Sequence, residues 1–256
     1  MKKVVIIFLS ILILGNLLGL EKKQQVLQEA VQKYEQNQYK QALELFLQLE
    51  NQNIINSELF YNIGNCYYRL NSLGKAILYY KKALKVKPNF VAAKQNLELA
   101  LTLTQDKQQI AQDSFLKNIW EKILSGLSMN LLAVISLILF IGVVFIINLI
   151  ILKFSQREKT LPVFFAIILT FLLLFSLFLS YIKWQRYTDE SQAVLLADSA
   201  IGYSGPGVDF TRVFTIHEGM IFQIEQQQAE WSLIKLENGL GGWIKNGSFE
   251  KILLAK

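Results

Sequence analysis

Two long runs of apolar residues constrain this chain most. They lie at Leu131–Leu152 and Leu161–Ile182, each holds about 22 residues, and neither contains a charge. As helices they would be roughly 33 Å long, which matches the ~30 Å hydrocarbon core of a bilayer. Hydrophobic residues make up 52% of the chain, more than an ordinary soluble protein carries. We therefore predict a transmembrane helical hairpin with spans at 130–152 and 161–183.

The N-terminus holds a shorter apolar stretch, Val4–Leu20, which follows Lys2 and Lys3. A basic start followed by such a stretch is typical of a secretory signal. Because no small-residue cleavage pattern ends the stretch, we interpret 1–20 as either a signal peptide or an uncleaved signal anchor. In both cases the residues that follow are exported.

The loop between the two spans, 153–160, contains Lys153, Arg157 and Lys159 against a single acid, Glu158. An excess of positive charge is typical of cytoplasmic loops. The predicted topology therefore places this loop in the cytoplasm. The segments before and after the hairpin then lie on the extracytoplasmic side.

The sequence N-terminal to the hairpin repeats itself after 34 residues. Ala42 falls on Ala76, and Phe46 falls on Tyr80. This period is typical of tetratricopeptide repeats, or TPRs, in which each unit is an antiparallel helix pair. The residues of the second copy that fit the spacing of that family, and that we expect to be structural, are Phe60, Gly64, Tyr67, Ala76, Tyr80, Ala83 and Pro88.

We predict a TPR domain over 21–107, with repeats at about 23–56 and 57–90 and a capping helix at 91–104. In TPR proteins the first helix of each repeat lines the ligand groove. By this resemblance, the expected partner-binding groove consists of Glu58, Tyr61, Asn65, Tyr68 and Arg69. The alternative is that the capping helix covers both tyrosines.

The residues at the matching positions of the other repeats indicate which kind of ligand this groove binds. They hold Leu27, Val31, Gln95 and Leu99, and no lysine. A carboxylate clamp is therefore disfavoured, and an apolar helix or an extended segment of a partner is the expected guest.

A juxtamembrane helix is predicted over 108–129. Its apolar residues lie near one face: Ile110, Phe115, Ile119, Trp120, Ile123 and Leu127. Such a helix either lies in the membrane interface or packs against its neighbours, and amphipathicity alone does not separate the two.

Beyond the hairpin, short apolar runs broken by glycine predict a small all-β barrel over 188–256. The motifs Ser204-Gly205-Pro206, His217-Glu218-Gly219 and Gly242-Trp243-Ile244 resemble those of a bacterial SH3 domain. Tyr203, Trp231 and Trp243 form a possible ligand surface, for which core packing is the alternative.

Several function classes find no support in the sequence. His217 is the only histidine, so a two-histidine metal site is excluded, and no phosphate-binding loop or nucleophile elbow occurs. We predict no catalytic residue, no metal, no cofactor and no enzymatic activity.

The single cysteine, Cys66, allows no intramolecular disulfide. The net charge of +6 is spread along the chain, so we predict no nucleic-acid partner.

The expected fold is a multidomain membrane protein with an α-helical TPR array, a transmembrane hairpin and a C-terminal SH3-like barrel. This layout, together with the stretches LGKAILYYKKAL and KQNLELA, is similar to the TPR proteins of the Bat aerotolerance operons. The resemblance implies a place in the bacterial inner membrane, with both soluble parts periplasmic. It also implies partners, namely von Willebrand A-domain membrane proteins and a MoxR-type ATPase, and a role in stress tolerance.

The predicted function is a membrane-anchored scaffold for protein–protein interaction. The alternative is a cell-wall module, in which the barrel binds peptidoglycan and the repeats recruit envelope enzymes.

Overall fold

The computed structural model describes residues 21–108, 115–152 and 160–254. The predicted leader at 1–20, Ile110 and residues 153–159 of the predicted loop lie outside the described residues, and Thr160, predicted at the end of that loop, is the first residue of a helix. The chain divides into two compact units, of which the first combines the segments on either side of Ala111–Asp189 and the second is Ala111–Asp189 itself.

The elements are as follows. The helices are α1 (21–35), α2 (Tyr39–Glu50), α3 (Ser57–Arg69), α4 (Leu73–Val86), α5 (Val91–Leu103), α6 (Phe115–Gly126), α7 (Met129–Leu152) and α8 (Thr160–Thr188). The strands are β1 (Gln192–Leu195), β2 (Ser199–Tyr203), β3 (Arg212–His217), β4 (Ile221–Gln228), β5 (Trp231–Lys235), β6 (Gly241–Lys245) and β7 (Phe249–Lys251).

Asparagine residues mark the boundaries of the first helices. Asn37, Asn53 and Asn71 have φ values of 60°, 57° and 58°, and each follows the end of a helix. This left-handed conformation, which asparagine tolerates, reverses the chain for the next helix. Asn56 then caps α3, because its side chain accepts a hydrogen bond of 2.9 Å from the N–H of Leu59. The result is two helix pairs, α1–α2 and α3–α4, followed by α5.

The C-terminal strands form one antiparallel sheet in the order β3-β2-β6-β5-β4-β1-β7. Strands from across this order contribute to a single core, because Leu195 of β1, Ile216 of β3 and Ile244 of β6 belong to the same buried cluster. The sheet is therefore strongly curved around its core.

The predicted closure of the barrel is wrong. Strands β3 and β7 are the two edges of the sheet, and no ladder joins them within the described residues. The physical reason is that the β7 end of the sheet packs on the helices. Val194 of β1 and Ile252, which follows β7, are buried in the helical core.

Strand β1 is consequently buried on both faces. Its side chains alternate, with Ala193 and Leu195 in the core of the sheet and Val194 in the core of the helices, and all three are fully buried. Alternation of this kind follows from the two-residue period of a strand. The TPR region and the sheet thus share one strand and form a single unit, which we call the composite unit.

The second unit contains α6 and a hairpin of α7 and α8. The hydroxyl groups of Ser136 and Ser176 are 2.9 Å apart across the hairpin. A small cluster at its base contains Leu124, Leu132 and Leu179, with Trp120, Leu127 and Ile182 packed against it. On length and composition alone, α7 and α8 are able to cross a membrane. One side of α6 therefore packs on the hairpin, while Ile119 and Ile123 remain exposed.

Candidate protein-interaction site

The second repeat packs tightly where glycine faces tyrosine. A Cβ at Gly64 would lie 2.7 Å from the ring of Tyr80, which is fully buried, and 3.4 Å from the carbonyl oxygen of Ala76. The close approach of α3 and α4 therefore requires glycine at this position. Phe60, Ala76 and Ala83 are fully buried, and Tyr67 stacks on Tyr79 with ring centroids 5.4 Å apart. Pro88 follows the end of α4 at Val86.

Helix α5 covers part of the groove expected on α3. The Oδ1 of Asn65 accepts hydrogen bonds from the hydroxyl of Tyr80 at 2.9 Å and from the Nδ2 of Asn96, on α5, at 2.8 Å. The same Asn96 amide donates to the hydroxyl of Tyr61 at 3.2 Å. The ring of Tyr61 lies 5.1 Å from that of Phe90. Tyr61 and Asn65 thus hold the capping helix in place.

The other three expected groove residues are more open. Tyr68 is half-buried against the helical core. Arg69 is exposed, and its guanidinium lies 5.7 Å from the centre of the Tyr39 ring. Glu58 is exposed and pairs with Lys87 at 3.5 Å. A hydrogen bond from the Ser57 hydroxyl, of 2.8 Å, lowers the pKa of Glu58, and Lys87 adds to the effect.

Apolar residues at repeat-equivalent positions are also accessible on the groove side. Leu27 and Val31 of α1 are 39% and 38% exposed, and Leu99 of α5 is 49% exposed. The 34-residue period makes Leu27 equivalent to Tyr61, and makes Val31 and Leu99 equivalent to Asn65. Exposed apolar residues at equivalent repeat positions are suited to bind an apolar segment of another protein. We call Leu27, Val31, Tyr68 and Leu99 the groove surface.

The aromatic residues predicted on the sheet lie together on the face opposite to its core. Tyr203 is the ladder partner of Trp243, and its ring meets that of Trp231 edge-on with centroids 5.6 Å apart. Both tryptophans are half-exposed, and neither belongs to the buried cluster formed by Ile234, Ile244 and their neighbours. The two tryptophans are therefore accessible on one surface, whereas Tyr203 is buried against them.

A network of charged and polar groups joins the helices to the sheet. The Nζ of Lys82, whose side chain is 3% exposed, lies 3.3 Å from the Oε1 of Glu50 and 3.7 Å from the Oε1 of Glu250 on β7. The hydroxyl of Tyr79 donates to the other oxygen of Glu50 at 2.7 Å. Burial, together with this carboxylate, raises the pKa of Tyr79 above its ordinary range.

A second set of contacts grips the turn after β3. The backbone N–H of Gly74 donates to the Oε1 of Glu218 at 2.7 Å. The two carboxylate oxygens of Asp106 lie 2.6 Å from the backbone N of His217 and 3.0 Å from its Nδ1. Gly219 has a φ of 87°, and a Cβ there would lie 2.6 Å from the Cγ2 of Thr104. The turn therefore fits closely against the end of the repeat region.

Gln108 also binds the turn after β3. Its Nε2 donates to the carbonyl of Gly219 at 3.1 Å, and its Oε1 accepts from the N–H of Ile221 at 2.8 Å. An amide that satisfies two main-chain groups acts like a short piece of an added strand. Local sequence patterns do not predict these contacts, because the residues involved are more than 100 positions apart.

In the part of the chain that the structure describes, no group of three or more His, Cys, Asp or Glu side chains is placed to hold a metal ion. Cys66 is buried, and this burial raises its pKa from 9.0 to about 12. Such a thiol is a packing residue, since nucleophilic cysteines have lowered pKa values.

Comparison with known proteins supports the repeat. Residues 57–90 match the tetratricopeptide repeat family. Neither a Bat-type family nor an SH3 family is matched, and no curated protein shows significant similarity to the chain. Tetratricopeptide repeats are typically non-catalytic interaction modules. The chain thus contains a tetratricopeptide repeat at α3 and α4, next to a groove surface suited to protein partners.

Proposed function

We propose that this chain is a membrane-anchored scaffold whose composite unit binds partner proteins through the groove surface. The observation that carries this proposal is the repeat at 57–90 with exposed apolar residues at equivalent positions of α1 and α5. The hairpin of α7 and α8 supplies the anchor. A hairpin returns the chain to the side of the membrane that it left, which suits two soluble segments that fold into one unit.

The resemblance to Bat operon proteins adds a cellular location, a partner class and a biological role to this proposal. We propose a place in the bacterial inner membrane, with the composite unit on the periplasmic side. The partner class is then von Willebrand A-domain membrane proteins, and the role is in stress tolerance. These points rest on the layout of the chain and on the basic residues between the two helices.

Site-specific crosslinking in native membranes tests the groove. A photo-crosslinking residue replaces Val31 on the groove surface or, as the matched control, exposed Glu44 on α2. We expect crosslinked membrane proteins, including a von Willebrand A-domain protein, from position 31 and not from position 44. Equal products from both positions would contradict the groove. Products from position 31 without such a protein would contradict only the Bat-type setting.

The aromatic surface of the sheet favours a second candidate function. Trp231 and Trp243 present partly exposed rings on one face, with the buried Tyr203 beside them, and ring faces of this kind also suit sugars. This candidate is a cell-wall module that binds peptidoglycan. It predicts that the full chain sediments with purified sacculi and that Trp231→Ala with Trp243→Ala abolishes sedimentation. A wild-type chain that stays in the supernatant would exclude it.

A further inference from the structure

A crevice lies where α2 and the loop after it face the C-terminal strand. Its volume is about 450 Å³, within the range of ligand-binding sites, and Asn53, Ile54, Lys251 and Leu253 contribute to its walls. A second cavity of about 260 Å³ shares Glu50, Asn51 and Glu250 with it. The two cavities therefore meet at the pair of carboxylates and form one elongated furrow.

At the centre of the furrow two carboxylates face one ammonium group, and two further lysines line its rim. Glu50 and Glu250 both face Lys82, so two carboxylates share one ammonium group. The Glu250 contact is the looser one, at 3.7 Å with its side chain 41% exposed. At the rim, Lys251 donates to Gln227 at 2.9 Å, and Lys75 lies over the Tyr67 ring at 5.3 Å. A further cation between the carboxylates would be attracted.

The furrow also runs along an edge of the sheet. Strand β7 pairs with β1, and one backbone hydrogen bond lies at each end of this ladder. The N–H of Ile252 donates to the carbonyl of Gln192 at 2.8 Å, and the N–H of Leu196 donates to the carbonyl of Ser248 at 2.9 Å. Main-chain groups alternate in direction along an antiparallel strand. Phe249 and Lys251 therefore direct their N–H groups away from β1, on the side where the described chain provides no further strand.

The Glu250 side chain, which belongs to the edge strand β7, points into the furrow, where it and Glu50 form the carboxylate pair. Glu250 pairs with Val194, and both lie on the face of the sheet that packs on the helices. A strand added beside β7 would place the residue opposite Glu250 on that same face, with Cβ atoms about 5 Å apart. Its side chain would enter the furrow between Glu250 and Glu50.

We propose that the furrow binds an extended segment of a partner protein, which adds a strand to β7 and places a lysine or arginine opposite Glu250. Addition of a strand to a sheet edge is a general mode of peptide recognition, in which main-chain bonds give affinity and alternate side chains give specificity. This site is separate from the groove surface, and the proposal goes beyond the scaffold function without depending on it.

Selection from a random decapeptide library, displayed on phage, tests the proposal with the full chain in lipid nanodiscs as the target. We expect the enriched peptides to share a lysine or arginine flanked by alternating apolar residues. Fluorescence polarisation then gives their affinities. Glu250→Gln should weaken binding about tenfold, which is typical for loss of one partner in a close charge pair. Glu225→Gln, at an exposed carboxylate on β4 that pairs with Lys235 at 3.6 Å, is the matched control.

A second variant tests the main-chain part of the proposal. Lys251→Pro removes an N–H that points away from β1, so the ladder with β1 keeps its bonds, and proline is tolerated at such an edge. We expect an affinity loss of about fivefold, as for one hydrogen bond. An unchanged thermal unfolding midpoint verifies that each variant folds.

Three results would overturn the proposal: no enrichment, enriched peptides without a basic residue, or equal affinity for the wild type and Glu250→Gln. Crosslinking from position 31 reports on the groove surface independently. Absent peptide binding with intact crosslinking would refute the furrow alone, and the reverse pattern would refute the groove alone.

Discussion

The backbone N–H of Gly74 donates a 2.7 Å hydrogen bond to the carboxylate of Glu218, a residue 144 positions later in the chain. The bond connects the start of α4 to the turn after β3. It satisfies one of the N–H groups that the first turn of every helix leaves without an intrahelical partner. A carboxylate at this end of a helix is also favoured by the helix dipole. The repeat region and the sheet are thus joined by a helix cap supplied from a distant segment.

Gly74→Ala tests this junction. The added Cβ would lie 2.8 Å from the carbonyl oxygen of Leu195 and 2.9 Å from the Cγ of Glu218, so α4 and the turn must separate. We expect a loss of about 1–3 kcal/mol in the free energy of unfolding, the usual cost of overpacking. Hydrogen exchange should also speed up at 217–221. Gly207→Ala, whose Cβ would meet only the Phe210 ring at 3.4 Å, is the control and should leave both measurements unchanged.

Gly64→Leu tests the packing inside the repeat. The side chain would collide with the buried ring of Tyr80, so α3 and α4 cannot keep their spacing. The expected loss is about 1–3 kcal/mol, measured by urea unfolding of the full chain in detergent. The full chain is needed because α4 also packs on β1. An unchanged unfolding midpoint would refute the assigned role of Gly64.

Asn65→Ala tests the role of α5 as a cover. The variant leaves the buried hydroxyl of Tyr80 and the amide of Asn96 without their common acceptor, at a cost of about 1–3 kcal/mol. We expect the variant to speed up hydrogen exchange, relative to the wild type, more in α5 than in α2. Asn62→Ala on the same helix is the control, since substitutions outside such networks usually change stability by less than about 0.5 kcal/mol. Equal effects from both variants would mean that the network does not hold α5.

The buried thiol predicts a pH dependence. The pKa of Cys66 is about 12 in the folded chain against 9.0 ordinarily, so the unfolded chain loses the proton first. Its contribution to stability is complete below pH 9 and declines as the pH rises toward 12. Between pH 9 and pH 10 we expect a loss of about 1 kcal/mol, which Cys66→Ala should remove from the slope. An equally steep slope in Cys66→Ala would assign the effect to other groups.

The sequence predicted the second repeat because its signals are local. Gly64, Ala76 and Pro88 act within one helix pair, and the 34-residue period places them without knowledge of the remaining chain. The apolar hairpin was visible for the same reason. Composition alone indicates it, and α7 and α8 have the length that the apolar runs require.

The contacts between helices and sheet carry no local signature. Glu218 and Asp106 look like ordinary exposed acids in the sequence, since their partners lie more than 100 residues away. One signal was nevertheless present. The run AVLL at 193–196 is continuously apolar, as in a strand with both faces buried, whereas a half-exposed strand alternates. That reading would have placed another element on the outside of β1.

We expected a closed barrel and an open groove, and the structure differs from both expectations for the same kind of reason. Family resemblance describes a domain in isolation, and both features change when a neighbouring element packs on the domain. Val194 and Ile252 pack on the helices at the β7 end of the sheet. Asn96 of α5 occupies hydrogen-bonding positions of Tyr61 and Asn65 that a guest would otherwise use.

The central claim is that the repeat region and the sheet form one unit, and a double-mutant cycle between Asp106 and His217 tests it most directly. Both side chains are about one quarter exposed, at 24% and 26%, so the single variants Asp106→Ala and His217→Ala should fold. Unfolding of the full chain in detergent at pH 7 gives the four free energies. We predict a coupling energy of about 0.5–3 kcal/mol, as for residues in contact. A coupling within error of zero would mean that this side-chain contact does not join the two regions and would contradict the account.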